Sequence, residues 1–237
     1  MYWNLHNNEV LFSFLGHSDI ITDISMSPIN DYFLTTSGDK TSRLWDLDKR
    51  KCICILQESN HAVFDDTGKV IASVTYANEK GEKIMNYINL YATDNILQGP
   101  FKVFKIESDN DLNIKEIKEL KFSNDGAYII CTTVEDCILV IDSFDGKILK
   151  KLQAEINETE AYFKVDISPD SKYVVSGSDS GHIHIWNIIS GELITSLECH
   201  PQASNNVKFS PKHCLLASSC KNMVLWHPEL PLKENSS

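Results

Sequence analysis

GHSDIITDISMSPINDYFLTTSGDKTSRLWDL, residues 16–47, is the stretch on which the fold of this chain turns. It opens on Gly16-His17 and closes on Trp45-Asp46, the latter followed by Leu47. Between them lie two runs rich in β-branched and aromatic residues, ITDISM and YFLTTS. Ser27-Pro28-Ile29-Asn30-Asp31 separates them and Gly38-Asp39-Lys40 follows, both turn signals. The stretch therefore reads as three short strands carrying an imidazole, a hydroxyl, a carboxylate and an indole: His17, Thr35, Asp39 and Trp45. Buried together, such a set forms a structural relay. The indole N–H reaches the hydroxyl, the hydroxyl the imidazole, and the imidazole the turn carboxylate, each bond strengthened by the low local dielectric. A nucleophilic triad is the competing reading, and the repeat context described next argues against it.

The pattern recurs. Aligned on Trp45, the next matches are Tyr91 in INLYATD, Ile141 in LVIDSFDG, Trp186 in IHIWNIISG and Trp226 in MVLWHPEL, at intervals of 46, 50, 45 and 40 residues. Each interval divides into short strands separated by Asp, Gly, Pro and Asn, and no segment shows a sustained helical period, so the chain reads as all-β. A period of about 40–50 residues with four strands each is that of a propeller blade, and the Gly-His to Trp-Asp unit matches the WD repeat. One such sheet cannot bury both its faces; stacking sheets around an axis does.

The expected fold is thus a WD40 β-propeller. MYWNL and VLFSFLG read as the third and fourth strands of a blade that precedes Gly16. The expectation is an incomplete ring, about five blades plus half a blade of a seven-bladed family. A six-bladed ring, or closure by a second chain, is the alternative. Residues 1–230 form one domain on this reading, with N-terminal blades missing, and 231–237 a disordered tail. Partial relays are expected at Ser176 and Trp186, and at His200, Ser218 and Trp226. The repeats at Tyr91 and Ile141 keep only the hydrophobic pattern, so packing must hold them.

Composition narrows the function. The 237 residues carry 22 Lys and Arg against 33 Asp and Glu, a net charge of −11. Such acidity disfavours direct binding to a nucleic-acid backbone and suits a basic partner. No apolar run approaches the ~20 residues of a membrane span, and the first residues lack the pattern of a signal peptide. The seven cysteines, an odd number, are expected to be reduced. The glycine-rich SGSDSGH lacks the Gly-Lys-Ser/Thr of a phosphate loop, and the Cys and His spacings around Cys199 and His213 fit no common zinc pattern. Neither a G-x-S-x-G elbow nor H-E-x-x-H occurs. No catalytic residue, cofactor or metal is expected.

Two partner surfaces are candidates. The segments Ala77–Lys83, Glu107–Ile114 and Gln153–Glu160 are acidic, and Glu107, Asp109 and Asp111 are candidate contacts for a basic segment. Arg43 and Arg50 are the only arginines. Arginine is the preferred bidentate phosphate ligand, so Arg43 with Lys40 is the candidate contact for a phosphopeptide.

LHNNEVLFSFLGH, GPFKVFKI, ELKFSNDGAYII, SPDSKYVVSGSDSGHIHIWNIISG and the shortened SSCKNMVLW resemble one WD-repeat family. It is the WD-repeat subunit shared by COMPASS-type histone-lysine methyltransferase complexes and, in yeasts, by the cleavage and polyadenylation factor. The resemblance implies a nuclear, non-catalytic scaffold of an H3 lysine-4 type methyltransferase complex, coupling it to transcribing RNA polymerase II. The implied partners are the other subunits and the phosphorylated polymerase tail, without nucleic acid or membrane. The alternative is a WD-repeat adaptor in another assembly: mRNA 3′-end cleavage and polyadenylation, a phosphatase complex or a ubiquitin ligase.

Overall fold

The computed structural model describes residues 1–79, 83–106, 114, 116–134, 137–153, 163–204 and 206–228. These contain 21 strands in six antiparallel sheets and one short 3-10 turn, Thr93–Gln98. The architecture is all-β, with five blades of a β-propeller.

Strands β1 (Tyr2–Asn4) and β2 (Glu9–Phe12) pair as a two-stranded sheet. The first blade follows in chain order: β3 (Ile21–Met26), β4 (Tyr32–Ser37), β5 (Thr41–Asp46) and β6 (Lys51–Gln57). The second is β7 (Ser59–Phe64), β8 (Val70–Glu79), β9 (Lys83–Ala92) and β10 (Lys102–Ile106), and the third is β11 (Ile117–Phe122), β12 (Tyr128–Thr133), β13 (Ile138–Asp142) and β14 (Ile148–Leu152). The fourth is β15 (Val165–Ile167), β16 (Tyr173–Gly177), β17 (His182–Asn187) and β18 (Leu193–Glu198). The last sheet has three strands, β19 (Asn206–Phe209), β20 (Leu216–Ser219) and β21 (Met223–Trp226).

The chain divides into two compact units, one of residues 1–134 and 139–149, the other of 135–138 and 150–237. In the first unit, Leu34, Leu44 and Leu56 of the first blade pack with Ala62, Phe64 and Ile71 of the second. Hydroxyls tie the same two blades: Thr36, Ser42, Ser59 and Ser73 form a buried chain at 3.1, 2.7 and 2.8 Å. In the second unit, Val175 and Ile183 pack with Val207 and Leu216. There Asp166 accepts the Phe209 N–H at 2.6 Å, joining β15 to β19.

Turns repeat with the blades. Ser123 donates to Asp125 and accepts the Tyr128 N–H, and Ser168 does the same with Asp170 and Tyr173. One segment departs from the sequence reading. Of Ala77–Lys83, residues 77–79 and 83 belong to strands rather than to a loop, since β8 and β9 continue their pairing with Tyr76 opposite Asn86 and Glu79 opposite Lys83, while residues 80–82 lie outside the described residues. The β-forming residues of VIASVTY and IMNYINLY extend the ladder further than the polar composition of the segment implied.

Candidate functional site

The first blade carries the complete relay. The Trp45 indole N–H donates to Thr35 Oγ1 at 2.8 Å, Thr35 Oγ1 lies 2.7 Å from His17 Nε2, and His17 Nδ1 lies 2.9 Å from Asp39 Oδ2. Thr35 accepts from the indole and donates to the ring, so Nδ1 carries the ring proton and donates to the carboxylate. Strand pairing sets this up: Phe33 lies opposite Trp45, and Thr35 opposite Arg43 two residues away on the same face. Burial alone would raise the Asp39 pKa, but hydrogen bonds from Thr41, His17 and the Ser18 N–H outweigh it and hold the carboxyl well below the ordinary aspartate range. Asp46 has a separate task. It is buried, and accepts both the Lys49 N–H and the Lys49 ammonium, closing the turn into β6.

The other candidate residues fall into two groups. In the last sheet Trp226 Nε1 donates to Ser218 Oγ at 2.9 Å, and Ser218 Oγ lies 2.8 Å from His200 Nε2. The shortened turn after Ser219 supplies no aspartate to continue that relay. In the fourth blade, Ser176 Oγ donates to the neighbouring Gly177 carbonyl, and Trp186 is buried opposite Val174.

Sequence reading missed His61. Its Nδ1 accepts the Leu120 N–H at 3.3 Å, so Nε2 carries the proton and donates to Asp23 Oδ2 at 3.1 Å. One buried imidazole thereby joins the inner strands of three successive sheets, β3, β7 and β11. Asp23, His61 and Glu119 each follow a bulge at the same place in their strands, and that recurrence is the signal that could have found the set.

The phosphopeptide candidates sit differently from one another. Lys40 is exposed in the turn between β4 and β5, with φ of 60°. Arg43 is half-buried on β5, its Nε without a hydrogen-bond partner. Its guanidinium lies against Gly16, where a β-carbon would push it aside. Arg50 stacks over Phe12 at 5.5 Å. Glu107, Asp109 and Asp111, and residues 154–160 of the third acidic segment, lie outside the described residues.

Beside the relay runs a groove of about 410 Å³, lined by Phe14, Phe33, Trp45, Ile21, Ile24 and Met26 among others. Phe14 meets Phe33 and Trp45 edge-on at 4.9 and 5.5 Å. Among the described residues no group of three or more His, Cys, Asp or Glu side chains converges as a metal site. The polar sets described here hold strands together, and His17, Thr35 and Trp45 of the relay also line the groove.

Comparison with known proteins agrees with the repeat pattern. The family described as WD domain, G-beta repeat, matches residues 8–46, 146–187 and 191–227. These are the repeats ending at Trp45, Trp186 and Trp226. WD repeat-containing protein 82 of Drosophila melanogaster is 34% identical over 230 residues, covering 96% of this chain and 69% of its own length. COMPASS component SWD2 of Saccharomyces cerevisiae is 30% identical over 236 residues, 92% of this chain and 68% of its own. Set1 complex component swd2 of Schizosaccharomyces pombe is 28% identical over 255 residues, 97% of this chain and 67% of its own.

Proposed function

This chain belongs to the WD-repeat family that includes WD repeat-containing protein 82 and COMPASS component SWD2, and on that footing we propose that it is a non-catalytic scaffold subunit of a nuclear histone-lysine methyltransferase complex. The observation that carries the reading is similarity along nearly the whole chain to subunits of the COMPASS and Set1 complexes. The physical reading of the residues is compatible with it: the histidine, hydroxyl and carboxylate sets are spent on joining strands. A scaffold acts by presenting edges and loops from a rigid body.

Within such a complex the subunit couples the methyltransferase to transcribing RNA polymerase II by recognising its phosphorylated tail. Lys40 and Arg43 are the basic residues offered for that contact, and Glu107, Asp109 and Asp111 the acidic ones for a basic segment of a fellow subunit.

Affinity purification of the tagged chain from nuclear extract tests the assignment. A SET-domain methyltransferase should co-purify. Recovery of only 3′-end processing, phosphatase or ubiquitin-ligase subunits sinks it. For the tail contact, Arg43→Ala should weaken binding of a phosphorylated peptide to the assembled complex about tenfold, the loss of one charge-assisted bidentate pair. An unchanged titration rejects Arg43.

A further inference from the structure

β6, β10 and β18 are edge strands of the first, second and fourth blades. β6 and β18 each carry a bulge, with Ile53 and Ile194 as the extra residues. A bulge twists an edge away from further pairing. β10 has none. It pairs with β9 residue for residue, from Lys102 opposite Leu90 to Ile106 opposite Asn86. Among the described residues β9 is its single partner strand, so the other side of β10 presents unpaired backbone groups.

Lysines also guard edges, and β10 carries Lys102 and Lys105. Lys102, however, is drawn aside by the turn after β13. Its ammonium donates to the Phe144 carbonyl and stands 4.8 Å from the Phe144 ring and 5.4 Å from that of Phe104. The turn is itself fixed. Asp142 accepts the Phe144 and Asp145 N–H groups at 2.7 and 3.1 Å, and Gly146, with φ of 77°, packs against the Phe104 ring. Phe144 is therefore 82% exposed on an ordered turn. The nearby Asp145 is taken by Lys147 at 2.6 Å, which leaves Lys102 a carbonyl and two rings as its close partners.

The other face of β10 is apolar. Phe101, just before the strand, and Val103 are 59% and 50% exposed, against 4% for Phe104. From Gly99 to Ile106 the chain holds two lysines and no acidic residue, in a protein of net charge −11. We propose that this edge takes up an extended segment of a partner protein in which carboxylate and aliphatic side chains alternate, added antiparallel as a fifth strand of the second blade. Backbone hydrogen bonds supply the affinity and the alternation supplies the selectivity. Carboxylates on one face of the segment meet Lys102 beside the Phe144 ring, and aliphatic side chains on the other meet Val103 and Phe101. A second copy of this chain is the wrong occupant, because antiparallel pairing of β10 with β10 brings the lysines of both strands together.

Fluorescence anisotropy with the whole chain tests this, the probe being a short labelled peptide of alternating glutamate and valine. Saturable binding is expected, with a preference of about tenfold over the matching lysine–valine peptide. Lys102→Glu should weaken the glutamate–valine peptide about fivefold and reverse that preference, and Val103→Asp should weaken it about fivefold. Methylating one alternate set of backbone nitrogens in the probe should abolish binding, and methylating the other set should spare it, since only one set faces β10. Ile189→Ser, at a residue 71% exposed in the turn after β17, should change nothing. Far-UV circular dichroism checks that each variant is folded, and either charge substitution on β10 suffices if the other fails. Absence of saturable binding overturns the proposal. So does equal binding of the two peptides, indifference to the substitutions on β10, or an equal effect of the two methylated sets.

Discussion

In the first blade a buried indole ends, through a hydroxyl and an imidazole, at a carboxylate. In the third blade the same places hold Ile141 and Cys131. There Ile129, Ile130, Leu139, Val140 and Ile141 are fully buried. Both are four-stranded sheets of similar strand length. The contrast teaches that the relay is one of two ways to fix the same geometry. An indole brings a donor that must be satisfied, and the histidine and aspartate follow from that need. Where an isoleucine stands in its place, no donor exists and close packing suffices. The relay adds directionality and a dependence on protonation that packing lacks.

Three substitutions would break or sharpen this contrast. The largest effect is expected from Ile141→Ala, which removes a fully buried side chain where nothing polar compensates; urea denaturation should show a loss of about 4 kcal/mol, unchanged between pH 7 and pH 4. Trp45→Phe keeps much of the ring but deletes the N–H and leaves a gap beside Thr35. Its cost should be about 2 kcal/mol, and a cost equal to that of Ile141→Ala would mean that packing, not the relay, dominates both blades. Asp39→Asn keeps the shape and removes the charge, for about 1 kcal/mol at neutral pH. This difference should depend on pH. The folded carboxyl is held below its ordinary value, so the unfolded chain takes up the proton first. The stabilisation is fully present above about pH 3.9 and is lost as the pH falls below it. A gap between Asp39→Asn and wild type that stays constant through that range would show that the charge contributes nothing.

Much of the fold was legible because its information is local. The strands, the Ser-x-Asp turns and the spacing of Trp45, Trp186 and Trp226 are each set by a few neighbouring residues. The four residues of the full relay were legible too, since His17, Thr35, Asp39 and Trp45 all fall within one repeat and only their chemistry can pair them. Ser176 was less legible. Its position matches, yet its hydroxyl turns to its own neighbour's carbonyl, and that choice depends on what stands around the strand. The ribbon of β8 and β9 was hidden by polar composition, although its two arms pair residue for residue.

The sequence by itself determined the repeat, the all-β class and the chemistry inside one blade, because strand period and turn residues act over a few positions. Only the tertiary structure decided what happens between blades. His61 meets Asp23 and Leu120, 38 and 59 residues away in the chain. The Thr36 to Ser73 hydroxyl chain closes across two sheets, and Ile24 lies open where Ala62 and Leu120 are covered. Each of these depends on which face meets which, and a strand pattern leaves that choice to the packing of whole sheets.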